Sequence, residues 1–406
     1  MSESVPTGLG KLSDEVSIEL PLPPEMIESA TKIVEEDAIQ QLSQYQAIVS
    51  KLNEAREQLL PLISTVEDVP HYSNYAGVDG GIGNIAVTLG GTYASVIGVA
   101  YSSKKDFTPR IKVDPIKIPA SLGAPHQNYL AMWRQKYEYL VGVEAINDVD
   151  CVFFDGTIVP SIFVRYLHSA QLYEMLQPQF IDLFKDCFVD TAGKPCLSHR
   201  LAQHVKPIVG IPKVVRSRHF IKTRLNMLNL PTTVSDLMIC SLLLKPGEYV
   251  RLTPYKDLWL SDALTPALGE LHWRWITEDL KDVEKNSKDG LNDVVESIPW
   301  LAEHTIVTYY KPHAGVPAIR VEVLDKDRNK VDSILRTLYH DYDRTLRMMF
   351  SIHMADRYCK SSSGVPMMIK NLMESKINSN ARKNGIVDDD FLAFLNLTFR
   401  EMGPVE

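Results

Sequence analysis

Cysteine is scarce and scattered in this chain. Its five cysteines (Cys151, Cys187, Cys196, Cys240, Cys359) are spread over 406 residues with no CxxC pair. That excludes a zinc ribbon or a disulfide framework and suits a reducing compartment, so a cytoplasmic location is expected. No apolar run reaches the roughly 18 residues of a membrane-spanning helix. The first residues, MSESVPTGLGKLSDEVSIEL, lack a basic start followed by an apolar stretch, so no secretory signal is expected. Internal repeats and low-complexity tracts are also missing. One further absence is local. Between Thr191 and Ser235 there is no Asp or Glu, while Lys194, Arg200, Lys206, Lys213, Arg216, Arg218, Lys222 and Arg224 all fall there. The overall net charge of −8 hides this stretch. An acid-free segment can track a phosphate backbone, or it can be a solvated face that balances acidic neighbours. Charge alone leaves both readings open.

What is present reads as an α/β protein. Residues 1–23 form a polar leader, and residues 24–60 carry a long helical pattern from Met26 to Leu59, opened by Pro24 and closed by Pro61. A helix of that length would measure about 54 Å at 1.5 Å per residue, more than a small domain's width. It is therefore expected to pack on a partner chain or along the outside of the main domain. The expected division is a leader (1–23), a helical extension (24–70), a main domain (71–384) and a tail (385–406). From Tyr75 the texture changes: YAGVDGG, NIAVTLGG and TYASVIGVAYSS read as a three-strand meander. Residues 127–146 read as a helix, DCVFFDGTIVP as a buried strand, VKPIVGIPKVV as another, DLMICSLLL as helical or buried, HTIVTYY and AIRVEVL as strands, and 329–359 and 365–383 as helices. Three strands, a helix and a fourth strand, with acids ending the first and fourth strands, make the opening topology of an RNase H-like mixed sheet with flanking helices.

Asp79 in GVDGG and Asp155 in VFFDGT stand where apolar strands are expected to leave the core, at the sheet's carboxyl end, where open α/β sheets place ligands. Glu138, on the intervening helix, can face the sheet, with Glu144 as the alternative carboxylate. Each Asp-Gly taken alone is first a turn dipeptide. Three carboxylates from two strands and a helix form an oxygen-rich site suited to Mn²⁺ or Mg²⁺, which can activate water and stabilise charge at a phosphate. Lys213, just past an apolar strand, is a candidate phosphate contact, with Arg216 and Arg218 beside it. Tyr309, Tyr310 and Lys311 have the composition of a single-strand channel, although strand alternation would bury one of the two tyrosines. Arg320 and Glu322 share one strand face, and Glu322 is a minor candidate.

In order and spacing, YAGVDGG, the helix with Arg134 and Glu138, VFFDGT, VGIPKVVRS, DLMICSLLLKPGEY, VTYYKPHAGVPAIRVEV and GVPMMIKNLMESKI resemble the NurA family of nucleases over about Tyr75 to Ile377. The resemblance implies an RNase H-like fold and a homodimeric Mn²⁺-dependent deoxyribonuclease of the 5′–3′ exonuclease and endonuclease type. It further implies work in DNA end processing or defence with a hexameric HerA-type ATPase. It makes Asp79, Glu138 and Asp155 metal ligands and, with Lys213, catalytic residues, and gives Lys213, Arg216, Arg218, Tyr310 and Lys311 to DNA. One departure stands out. The family's last motif carries a Tyr and a His where this chain has Val365 and Met373, leaving His313, His340 or His353 to substitute in space. Two other readings stay open. One is a NurA-like subunit with little or no activity that docks on a HerA-type ring. The other is a kinase of the actin and hexokinase superfamily, because VDGGIGN resembles its phosphate-binding hairpin.

Overall fold

The computed structural model describes residues 24–88, 91–118, 126–159, 183, 186, 187, 196–213, 217–262, 300–361 and 365–383. The chain divides into two compact units, residues 1–54 and 55–406, and the division falls inside the first helix. That helix, α1 (Pro24–Leu59), is continuous over 36 residues, as the pattern between its two prolines anticipates. In the first unit Val34, Ile39, Leu42 and Tyr45 are exposed along it. The leader and the tail lie outside the described residues.

The second unit is built on one ten-stranded mixed sheet. Its strands run in the spatial order β1 (Ile63–Thr65), β7 (Glu248–Val250), β9 (Thr305–Tyr310), β10 (Ile319–Leu324), β6 (Ile208–Gly210), β5 (Cys151–Phe154), β2 (Tyr75–Thr88), β3 (Gly91–Tyr101) and β4 (Arg110–Ile118), with β8 (Thr253–Pro254) beside β9. Among the described strands, only β2–β5 and β5–β6 pair in parallel. The sheet is covered on both sides. Val78, Val96, Val152 and Phe154 join Leu130, Met132 and Val141 of α2 (His126–Ala145) in one core, together with α3 (Leu197–Gln203). Phe153, Val209, Tyr310 and Val321 meet Ile334, Leu335 and Leu338 of α7 (Val331–Asp341) in another. Strands buried on both faces read as near-continuous apolar runs, which is why CVFF and TIVTYY carry no alternation. This α/β architecture is the RNase H-like mixed sheet expected from the sequence.

Three expectations are corrected. β2 is a single 14-residue strand that runs through Asp79, Gly80 and Gly81 rather than turning there. It stays paired with β3 to Thr88↔Gly91, with one irregularity between Ile82 and Ile85. Asp79 therefore lies mid-strand, and the kinase-type phosphate hairpin at VDGGIGN does not form. β4 was not anticipated: RIKVDPIKI is charged and contains Pro115, but it is an edge strand, where proline is tolerated. The predicted helix over 329–359 is interrupted by a small hairpin, β11 (Tyr342–Asp343) with β12 (Met348–Met349), before α8 (Phe350–Ser361) resumes. Asp341 holds that break together. Its carboxylate accepts from the Ser351 N–H (3.1 Å) and hydroxyl (2.6 Å) and from the Tyr75 hydroxyl (3.0 Å). The last described helix, α9 (Val365–Lys383), matches its predicted span. No described helix is long and apolar enough to cross a membrane.

Candidate metal centre at the end of the parallel strands

The parallel register sets Val78 of β2 opposite Phe154 of β5, so the next residues of each strand, Asp79 and Asp155, fall side by side. The Asp155 N–H donates to the Val78 carbonyl at 2.8 Å, which ties the two strand ends together. β5 ends here while β2 continues. Asp79 thus stands at the carboxyl end of the parallel core although it does not end its own strand. A sheet's side chains alternate between faces. Gly77 and Gly81 of β2 look onto α8, and Gly80 looks onto α2.

Gly80 explains how Glu138 reaches the site. A β-carbon at Gly80 would lie 2.5 Å from Glu138 Oε1 and 2.5 Å from Arg134 Cγ. The missing side chain is the space that the Glu138 carboxylate occupies. Gly77 serves the opposite face in the same way, since a β-carbon there would meet the α8 backbone at Ile352 N, 2.5 Å away. Lys213, three residues past β6, pairs its ammonium with Asp155 Oδ2. Arg134 Nε is 3.4 Å from Glu138 Oε1. The Gly80 N–H donates to Asp79 Oδ1 at 2.8 Å.

The electrostatics follow from crowding acids in a dry place. Asp79 and Glu138 are each 7% exposed. Burial raises the Asp79 carboxyl well above its ordinary range, and the neighbouring Asp155 and Glu138 charges raise it further against the pull of Lys213. Burial also raises Glu138, to about 7, with Arg134 opposing. Asp155 is raised by burial, while Lys213 holds it down. Asp356 on α8 adds its negative field to Asp155. It escaped the sequence reading because a lone acid on a helix, four residues before Lys360, carries no distinguishing signal.

The loop that carries Asp155 is anchored from behind. Glu322, 0% exposed, accepts from the Thr157 hydroxyl (2.7 Å) and the Ile158 N–H (2.9 Å) and pairs with Arg320 at 2.9 Å. This minor candidate is therefore a buried anchor of the Asp-Gly-Thr turn and does not border the open site.

Among the described residues, no three His, Cys, Asp or Glu side chains are drawn closely enough to hold an ion as they stand. Lys213 occupies Asp155, and Arg134 leans on Glu138. The chemistry of the set nonetheless fits a hard divalent cation. Its donors are all oxygens, their mutual repulsion calls for positive charge, and buried Glu138 Oε1 has no hydrogen bond among the described residues.

The other predicted contacts are not gathered here. Tyr310 is 1% exposed within the core, so no base can stack on it. Tyr309 is also buried, its hydroxyl 3.4 Å from Asp236. Lys311 turns its ammonium to the Ser241 carbonyl at the end of α5 (Asp236–Leu243). The alternation argument fails for this pair because β9 is buried on both faces. Arg218 gives its guanidinium to the carbonyls of Pro231 (2.6 Å) and Leu230 (3.3 Å). Arg216 lies outside the described residues. Glu144 is exposed on α2. His313 bonds the Tyr339 carbonyl at 3.1 Å, and the His340 ring lies tilted against that of His71 with centroids 4.2 Å apart.

Comparison with known proteins bears on this arrangement. The crystal structure of the NurA nuclease from Sulfolobus solfataricus matches 88% of this chain and 98% of its own, at 13% identity and a TM-score of 0.53. A crystal structure of NurA bound to dAMP and manganese matches 84% of this chain and 94% of its own, at 13% identity and a TM-score of 0.44. Comparison with curated proteins gave no match. The NurA domain model matches residues 73–361, a span that runs from the start of β2 to the end of α8 and holds all four gathered residues, so the chain belongs to the NurA family.

Proposed function

We propose that this protein is a metal-dependent deoxyribonuclease acting at DNA ends, with Asp79, Glu138 and Asp155 holding Mn²⁺ or Mg²⁺. The observation that carries the reading is the gathering of buried Asp79 and Glu138 with half-buried Asp155 and the Lys213 ammonium at the carboxyl end of the parallel strands. Membership of the NurA family and the manganese named for a family structure support it. A bound divalent ion would supply an activated water and neutralise charge developing at a phosphate.

The chain's own residues do the rest. Asp79 and Asp155 present oxygens from two adjacent strands, and Glu138 closes the set from α2 across Gly80. Lys213, paired with Asp155, offers an ammonium to a phosphate oxygen entering beside that carboxylate. Glu322 keeps the Asp155 turn in place through Thr157 and Ile158. The apolar cores on both sides of the sheet keep these positions rigid. A homodimer working with a HerA-type hexameric ATPase in the cytoplasm completes the proposal. The resemblance supports this, and exposed apolar residues along α1 are available for contacts of that kind. Val365 and Met373, in place of the family's Tyr and His, favour a second reading, a docking subunit with little activity of its own.

The test uses end-labelled single- and double-stranded DNA with Mn²⁺, with and without the cognate ATPase. Release of label by the protein alone supports the nuclease. Tight complex formation with the ATPase and no cleavage under any divalent ion would favour the docking subunit.

A further inference from the structure

Lys213 and Arg134 border the carboxylate centre and are held differently. Lys213 commits its ammonium to Asp155. Arg134 comes from α2, one turn before Glu138, and its Nε lies 3.4 Å from Glu138 Oε1. That is an ion pair without a hydrogen bond, since Glu138 Oε1 has no hydrogen-bond partner among the described residues. An arginine whose sole task was to neutralise Glu138 would close on it. The terminal amines of Arg134 also make no hydrogen bond among the described residues. Other arginines of the fold do use theirs. Arg110, Arg320 and Arg336 each set a terminal amine on a carboxylate, and Arg218 sets both on carbonyls. The stem of Arg134 is nonetheless fixed. A β-carbon at Gly80 would lie 2.5 Å from Arg134 Cγ, so the stem is seated in the notch that Gly80 leaves in β2. Even so, 46% of the side chain remains exposed. Its charge acts on Asp155 as well as on Glu138, so the guanidinium stands beside the site. A seated stem with an open planar fork is pre-organised for the oxygens of a phosphate.

We propose that Arg134 is a further catalytic residue, whose two terminal amines take the non-bridging oxygens of the phosphate under attack on the Glu138 side of the centre. The assignment rests on the nuclease reading. Negative charge builds on those oxygens as phosphorus is attacked, and a cation fixed beforehand stabilises it without reorganising. Lys213 shares its charge with Asp155, whereas Arg134 has its donors in hand. No bond to Arg134 forms or breaks. The oxygen of water joins phosphorus, the phosphorus–oxygen bond to the leaving strand breaks, and one proton of the water ends on the leaving oxygen. The guanidinium keeps its protons throughout. A lysine in its place would keep the charge and lose the fork, so the two residues are not interchangeable here.

The experiment measures kcat and KM for Mn²⁺-dependent cleavage of end-labelled DNA by the full chain, Arg134→Lys and Arg134→Met. Each protein is also titrated calorimetrically with Mn²⁺ alone. In both variants kcat is expected to fall about 100-fold or more, with KM changed by less than about threefold. Arg134→Lys is expected to bind Mn²⁺ as the wild type does, and Arg134→Met at least as tightly, because a repelling charge beside the ligands is gone. Weaker Mn²⁺ binding in both variants, in step with the loss of rate, would make Arg134 a positioning residue for Glu138 and overturn the proposal. Cleavage by Arg134→Lys at the wild-type rate would overturn it too, since a point charge would then suffice. Either result leaves the nuclease standing. Absence of cleavage by the wild-type chain would reject the nuclease itself, and the role of Arg134 with it.

Discussion

A carboxyl shut away from water beside other carboxyls is expensive to ionise, and Glu138 bears that cost with Asp79 as its neighbour. The folded state keeps Glu138 protonated up to about 7, whereas the unfolded chain gives up that proton in the ordinary carboxylate range. The folded pKa is the higher one. The stability it brings is therefore full below the unfolded value and is lost as pH rises through about 7. The metal-free protein is expected to melt at lower temperature at pH 7.5 than at pH 5. Glu138→Gln should flatten that slope, by roughly 3 kcal/mol at most. An unchanged slope in melting curves would refute the assignment. Mn²⁺ should restore stability at the higher pH, since it replaces the protons. Thr157→Val tests the anchor. It removes one hydrogen bond to Glu322, at a cost of about 1 kcal/mol in denaturant midpoint analysis. A fall of about tenfold in cleavage rate is expected, because the Asp155 turn loosens. These site residues were legible because Asp-Gly after an apolar strand is a short but visible word. Tyr310 and Lys311 misled because a basic-aromatic word looks the same whether its strand is exposed or buried on both faces.

Among the elements, β2 decides the site's geometry. Its glycines let α2 and α8 approach from opposite faces. Gly80→Ala places a β-carbon against Glu138 and Arg134, so a loss of about 1–3 kcal/mol is expected. Mn²⁺ affinity should fall with it, as calorimetry can read. An alanine variant that binds Mn²⁺ normally would show that Glu138 is not held through this gap. The sequence reading broke β2 at Asp-Gly because that dipeptide more often turns than continues. Pairing with β3 along most of its length overrides the local preference. Helices were read with better bounds. α1 and α9 have long apolar periods, whereas the hairpin between α7 and α8 depends on Asp341 bonding to Ser351 across the break and to Tyr75, which comes from a distant part of the chain.

For the whole molecule, the acid-free stretch proves to be mixed in purpose. Lys206 caps the end of α2 through the carbonyls of Ile146 and Val149, and Arg218 braces a loop, while Lys213 reaches the carboxylates. Buried Asp236, at the stretch's end, takes the N–H groups of Phe220 and Ile221 and fixes the basic turn to the fold. With a net charge of −8, capture of DNA is expected to depend on this shaped site and on partners, not on bulk attraction. The most direct test of the central claim is Mn²⁺-dependent cleavage of end-labelled DNA by the wild-type chain and by Asp79→Asn/Asp155→Asn, prepared identically. The double variant is expected to fold, since each amide matches the shape of the carboxyl it replaces, and to lose at least about a thousandfold in cleavage rate. Full cleavage by the double variant would contradict the carboxylate site.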